Sequence, residues 1–172
     1  MIVTLRELAP EDAGALLSLQ HRLDQETAYM MLAPGERKSE IQQVEEMIAS
    51  FAKADTSILI GAEAGGELAG YLSVRGGSFS RNKHSAYIVI GILKQYQGMG
   101  IGNGLFIEMD RWAKASGIVR LELTVMIHNE RAVALYTRQG FDIEGVKKKS
   151  LLVNGEWVDE YYMSKLFTPA LI

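Results

Sequence analysis

The stretch "QYQGMGIGNGL", Gln95 to Leu105, sets four glycines at alternate positions, Gly98, Gly100, Gly102 and Gly104. Just before it, "HSAYIVIGIL", His84 to Leu93, is rich in Tyr, Ile and Val and reads as a strand. Just after it, "LFIEMDRWAKAS" has helical spacing, with Leu105, Phe106, Met109 and Ala113 on one face and Gly117 as the stop beyond the last turn. A strand, a glycine-rich turn and a helix in that order make an anion site. Successive backbone N–H groups and the positive end of the helix dipole point outward, and absent Cβ atoms let phosphate oxygens approach. A merely tight turn needs one or two glycines rather than four. The dinucleotide spacing G-x-G-x-x-G fails, because Asn103 and Leu105 stand where the third glycine belongs, and G-x-x-x-x-G-K-[ST] is absent.

Working outward, "IVTLREL" alternates as a strand, Pro10 opens a helix with Leu16, Leu17 and Leu23 on one side, and "SEIQQVEEMIASFAKA" is a second helix with capping-box spacing from Ser39 to Gln42. "TSILIGAEAGGELAGYLSVRGG" reads as a hairpin turning at Gly65 and Gly66. Past the glycine region "RLELTVMI" is a strand, and "NERAVALYTRQ" a short helix capped by Asn129 and ended by Gly140. The remainder is a hairpin with Asn154-Gly155 as its type I′ signal. The expected order is βααβββαβαββ, an α/β (mixed α+β) fold with one central mixed sheet and helices on both faces. With 172 residues and no linker or repeat, residues 1–172 are expected to form a single domain.

The chain is 48% hydrophobic and 23% charged, with a formal net charge of −3. No global basic field draws in nucleic acid or an anionic membrane, so neither is an expected partner and any anion must be bound locally. Zero cysteines exclude a disulfide framework, a thiolate metal site and a Cys nucleophile, and fit a reducing compartment. Three scattered His residues make no metal site, and no G-x-S-x-G elbow supports a serine hydrolase. The start "MIVTLRELAPED" lacks a signal-peptide pattern and no apolar run approaches the ~18 residues of a membrane span, so a cytoplasmic location is expected.

With both segments in view, "IGILKQYQGMGIGNGL" resembles the acetyl-CoA signature of the GNAT N-acetyltransferases, Q/R-x-x-G-x-G/A, here Gln97, Gly100 and Gly102. "LTVMIHNERAVALYTRQGF" is similar to that family's second signature, matched by Asn129, Ala132, Tyr136, Gly140 and Phe141. Lys94 stands where many members carry Pro. The resemblance implies an acetyl-CoA-dependent N-acetyltransferase working by direct transfer in a ternary complex. It implies that the backbone of Gln97, Gly98, Met99, Gly100, Ile101, Gly102 and Asn103 binds the CoA pyrophosphate at a helix start. The family's fourth and fifth strands splay and hold the pantetheine arm, which would pair with Ile90 and Ile92. The Ile92 N–H would hold the developing oxyanion. Asn129 would contact the arm or a bound water, and Tyr136, seven residues on and so on the same helical face, would act as general acid to the departing thiolate. Arg131 and Arg138, on the same helix, are placed to reach a CoA phosphate; Lys147 to Lys149 could touch the ribose 3′-phosphate or simply be a solvated strand face.

Direct attack requires a neutral amine, whereas a lysine-like amine has a pKa near 10.4, so some base or water chain must take a proton. His84 begins the strand leading to the glycines and is either that base or an exposed strand end. Glu26 lies in "DQETAYM", the segment that lines the acceptor pocket in the family, and is otherwise a solvated helix charge. Glu122 interrupts "RLELTV" and faces either the cleft or a paired cation. Tyr29, Met30 and Met31 are candidates for the acceptor wall. A small primary amine, such as an amino acid, polyamine or antibiotic, and a protein amine both fit as acceptor. A homodimer through a sheet edge or helices is a reasonable expectation. The alternative is a module that holds acetyl-CoA as a sensor or scaffold without turnover.

Overall fold

Seven strand segments and four segments with 3.6-residue spacing produce the expected order of elements. A computed structural model describes residues 2–168, so the outermost residues of the expected domain lie outside the described part. The elements are β1 (Val3–Glu7), a 3-10 turn (Pro10–Asp12), α1 (Ala13–Glu26), α2 (Ile41–Ala52), β2 (Ser57–Ala64), β3 (Glu67–Gly76), β4 (Ser85–Ile92), a second 3-10 turn (Lys94–Tyr96), α3 (Ile101–Ala115), β5 (Arg120–Met126), α4 (Glu130–Arg138), β6 (Asp142–Val153) and β7 (Glu156–Leu166). The strands form one sheet in the order β1-β2-β3-β4-β5-β7-β6. Neighbours are antiparallel except β4 and β5, which α3 joins as a crossover and which therefore run parallel.

Both hairpin turns are of the kind read from the glycines. Gly65 and Gly66 have φ of 62° and 82°, and Asn154 and Gly155 have 50° and 82°, the paired left-handed residues of a type I′ turn. Two local readings need correction. In α1 the buried ridge is Leu16, Leu19 and Leu23, and Leu17 is only half-buried, because the true spacing of the core face is three then four residues. At the start of α2 the cap is Glu40, whose N–H donates to Gln43 Oε1 at 2.9 Å; Ser39 stands one residue outside the helix.

The helices divide between the two faces of the sheet. A Cβ on Gly91 of β4 would lie 2.6 Å from Leu23 Cδ1, so α1 rides on the face that carries Tyr87, Val89 and Gly91. A Cβ on Gly102 of α3 would lie 3.4 Å from Ile92 Cδ1, which puts α3 on the face of Ile88, Ile90 and Ile92. Leu16, Leu19, Leu23, Ile48 and Phe51 fill the first side, and Leu105, Phe106, Met109 and Ala113 the second. Among the described residues no helix is long and apolar enough to cross a membrane.

Candidate active site

β4 and β5 touch only at their beginnings, Ser85 to Tyr87 against Arg120 to Glu122, and then part. The Leu93 N–H donates to the Ala69 carbonyl at 2.9 Å, toward β3. Backbone groups alternate in direction along a strand, so those of Ile90 and Ile92 point the other way, into the gap that β5 has left. Their polar groups find no strand there. The Gln97 side-chain amide donates to the Ile92 carbonyl at 3.1 Å, while the Ile92 N–H has no strand partner among the described residues. Tyr87 closes the apex of the fork: its hydroxyl accepts from the Thr124 N–H at 3.2 Å and shares a hydrogen bond with Thr124 Oγ1 at 2.8 Å.

A cleft of about 1070 Å³ passes through this fork. On the α3 face it is walled by Gln97, Gly98, Gly100, Ile101, Gly102 and Asn103, and by Asn129, Arg131, Leu135, Tyr136 and Arg138 of the α4 region. The alternating glycines divide into two pairs. Gly98 and Gly100 have φ of 81° and 82°, which only glycine adopts freely, and a Cβ on Gly100 would meet no protein atom within 4 Å. Gly102 and Gly104 lie inside α3, where a Cβ would press on Leu135 at 3.2 Å and on Leu5 at 2.9 Å, so they are small for packing. Only at Gly98 and Gly100 does the missing Cβ leave open space toward the cleft.

Helix α3 begins at Ile101 with Gly100 as its N-cap and no side-chain cap. Its first internal hydrogen bond runs from Gly104 N–H to Gly100 O at 3.0 Å. The N–H groups of Ile101, Gly102 and Asn103 consequently have no helical acceptor, which leaves three donors and the helix dipole at the cleft wall. Arg131 adds a cation here: its Nη2 lies 3.8 Å from the place of a Cβ on Gly98. The Asn103 side chain is engaged elsewhere, its Oδ1 accepting from Gln139 Nε2 at 2.7 Å. Donors, dipole and guanidinium together make this wall suited to a polyanionic group.

The remaining expected residues fall into three groups. Asn129 Oδ1 accepts from the Ala132 N–H at 3.3 Å and so caps α4, with its amide at the cleft wall. Tyr136 is packed edge-on to Phe106, ring centroids 5.9 Å apart, and near Phe141 at 6.0 Å. Burial, with a smaller contribution from Tyr87, pushes its phenol well above the ordinary value, and its hydroxyl has no hydrogen-bond partner among the described residues. The phenol therefore stays protonated. Glu26, the last residue of α1, lines the cleft on the α1 face, and its Oε2 accepts from the Lys94 N–H at 2.8 Å. His84 is exposed at the opposite end of β4 and lies outside the cleft wall. Glu122 also lies outside it: Arg120 bridges Glu122 and Glu144, both at 2.7 Å, so its carboxylate meets a paired cation. Lys147 to Lys149 sit on the edge strand β6, remote from the glycine loop, and Lys147 Nζ is 3.8 Å from Glu160.

The α1 face of the fork carries residues that the sequence reading missed. Tyr29, Met30 and Met31 do line it, joined by Thr27, Tyr87, Thr124, Met126, His128, Leu151 and Glu160. The loop that brings Tyr29 there is tied down by Arg37, which grips Asp24 of α1 through Nε at 2.7 Å and Nη2 at 3.0 Å, with Asp24 only 2% exposed. Tyr29 and His128 face each other, ring centroids 5.4 Å apart, across the rim. No local signal marks these residues, since the loop, β5 and β7 meet only in the fold.

The profile of the acetyltransferase (GNAT) family matches residues 21–141. The chain belongs to this family. The L-amino acid N-acetyltransferase AaaT of Escherichia coli is 35% identical over 105 residues, 59% of this chain, and the chain spans only 63% of that enzyme's length. A GNAT-family acetyltransferase from Streptococcus pneumoniae superposes with a TM-score of 0.93 at 32% identity, covering 97% of this chain and 100% of the other. The fold is shared with yncA of Salmonella typhimurium, solved with its cofactor acetyl-CoA, at a TM-score of 0.87 and 17% identity, covering 100% and 98%. Within this GNAT chain both family signatures sit on the wall of one cleft.

Proposed function

We propose that this GNAT protein transfers an acetyl group from acetyl-CoA to a primary amine in a ternary complex. The observation that carries the proposal is the pairing of an uncapped helix start with a splayed fork, one fitted to a pyrophosphate and the other to an extended amide-bearing arm. Acetyl-CoA supplies the activated acyl thioester. The chain supplies the rest. N–H groups of Ile101, Gly102 and Asn103, with Arg131, hold the pyrophosphate, and the backbone of Ile90 and Ile92 pairs with the arm. The free Ile92 N–H is a fixed dipole for the carbonyl oxygen as negative charge develops on it. Tyr136, kept protonated by burial, donates to the thiolate as it leaves.

The acceptor enters from the α1 face, between the Tyr29 loop and the β5–β7 wall, so donor and acceptor approach the fork from opposite sides of the sheet. The name of the Escherichia coli relative supports a small amine as one acceptor class to test. Of the residues expected as base, Glu26 alone reaches the cleft; His84 and Glu122 have no part in the chemistry proposed. The test is thiol release from acetyl-CoA across amino acids, polyamines, aminoglycosides and short N-terminal peptides, with thermal shift by acetyl-CoA alongside. Turnover with one amine class supports the enzyme. A shift by acetyl-CoA without turnover on any amine favours a sensor, and no shift at all overturns the assignment.

A further inference from the structure

Two carboxylates among the described residues are nearly inaccessible, Asp24 at 2% exposure and Glu160 at 4%. Asp24 is held at both oxygens by Arg37. Glu160 has no hydrogen bond to its carboxylate among the described residues; its one charged neighbour is Lys147 Nζ at 3.8 Å, beyond hydrogen-bond reach. Its oxygens are absent from the fully enclosed polar atoms without partners, a description that fits Asp110 Oδ1 alone, so they keep access to the cleft that Glu160 lines. A buried carboxylate left this way is costly to keep unless a cation completes it.

The register fixes where Glu160 points. It lies opposite Met126 of β5 and Lys147 of β6, and directly paired residues share a face. Met126 alternates with Thr124, which bonds Tyr87, and Tyr87 shares its face with Gly91 under α1. Glu160 and Lys147 therefore stand on the acceptor side of the fork. Glu160 forms part of the wall, and Lys147, nearly half exposed, reaches it from the neighbouring strand β6.

We infer that Glu160 and Lys147 form a zwitterion-reading pair that selects free α-amino acids as acceptors, Glu160 taking the ammonium and Lys147 the carboxylate. This rests on the acetyl-transfer reading above. The pair sets one charge of each sign side by side, 3.8 Å apart, and an α-amino acid carries both charges on one carbon. A polyamine would place a second cation beside Lys147, and a peptide N-terminus brings no α-carboxylate for it. The ammonium seated on Glu160 has a carboxylate beside it to receive the proton that must leave before nitrogen attacks.

The experiment compares initial rates on methionine or alanine with those on the methyl ester and amide of the same residue, for the wild type, Glu160→Gln and Lys147→Met. Acetyl-CoA binding is followed in each by thermal shift. The wild type is expected to prefer the free acid by at least about tenfold in kcat/KM, the effect of one charge-assisted contact. Lys147→Met should raise KM for the acid about tenfold relative to the ester and so erase the preference. Glu160→Gln should lower kcat/KM for acid and ester alike, with the acetyl-CoA shift intact in both variants. Equal rates on acid and ester in the wild type, turnover confined to polyamines or peptides, or an unchanged preference in Lys147→Met would overturn the pair while leaving acetyl transfer standing. Loss of the acetyl-CoA shift in the wild type would instead overturn the reading beneath it.

Discussion

Replacing Gly100 with Ala separates the anion cradle from ordinary packing. The residue caps α3 with φ of 82° and ψ of 0°, and an added Cβ would stand in the open cleft, touching no protein atom within 4 Å. A non-glycine residue in this left-handed region costs roughly 1–2 kcal/mol, partly offset by about 0.4–1 kcal/mol from a stiffer unfolded chain. The folded state therefore loses about 1 kcal/mol and survives. Binding loses more, because the methyl group occupies space a phosphate must enter to reach the N–H groups of Ile101 and Gly102. A hydrogen bond to a charged group contributes about 1.5–3 kcal/mol, so losing two weakens binding by roughly 3–6 kcal/mol. At about 1.4 kcal/mol per tenfold, the Kd for acetyl-CoA should rise by at least a hundredfold. Isothermal titration of acetyl-CoA into the variant measures this. Gly104→Ala is the control: its Cβ meets only Leu5, at 2.9 Å, so it should alter thermal stability and leave Kd within about twofold. A Gly100→Ala Kd within about threefold of the parent, in a folded protein, would refute the cradle.

Other changes probe the remaining parts. Tyr136→Phe removes the only polar atom of a ring packed against Phe106 and Phe141, so kcat should fall about a hundredfold while acetyl-CoA affinity by titration stays nearly constant; full activity would remove the acid role. Arg37→Met leaves Asp24 charged, buried and alone, and should cost about 3–5 kcal/mol in urea unfolding, with a rise in acceptor KM as the Tyr29 loop loosens; a midpoint equal to the wild type would contradict it. Glu144 is held down to about 2, from an ordinary 4.5, first by Arg120 and then by the Ser164 hydroxyl. A carboxylate whose folded pKa is lowered stabilises the fold fully above the unfolded value, and that stability is lost as pH falls from about 4.5 toward 2. Its carboxylate is 42% exposed, so solvent screening limits the gain to about 1 kcal/mol or less. Glu144→Gln should therefore be slightly less stable at pH 7 and show a shallower decline across that window in acid unfolding.

Much of the fold was written locally. The glycine pairs at 65–66 and 154–155 marked hairpins because two successive left-handed residues admit few other sequences, and the helix of Glu130–Arg138 declared itself by Asn129 before it and Gly140 after it. The α3 wall of the cleft was legible for the same reason: its groups are backbone N–H donors positioned by one continuous run of chain from β4 into α3. The α1 wall was not. Glu122 and Glu160 are both carboxylates within strands, yet strand pairing sets Glu122 against Arg120 and Glu160 under the cleft beside Lys147. His84 seemed placed for chemistry by its closeness in sequence to the glycines, but it begins the strand whose other end reaches them. His128, unremarked in the chain, meets Tyr29 across the rim.

Sequence by itself thus determined the element order, both turn chemistries and a glycine-opened helix start within one supersecondary unit, since each depends on φ, capping and periodicity over a dozen residues. Tertiary structure alone decided which carboxylates face the cleft, which glycines are open and which are packed, and which loop walls the α1 side. Those outcomes depend on register and on the parting of β4 from β5, where residues far apart in the chain share one face and the balance between burial and charge pairing is struck.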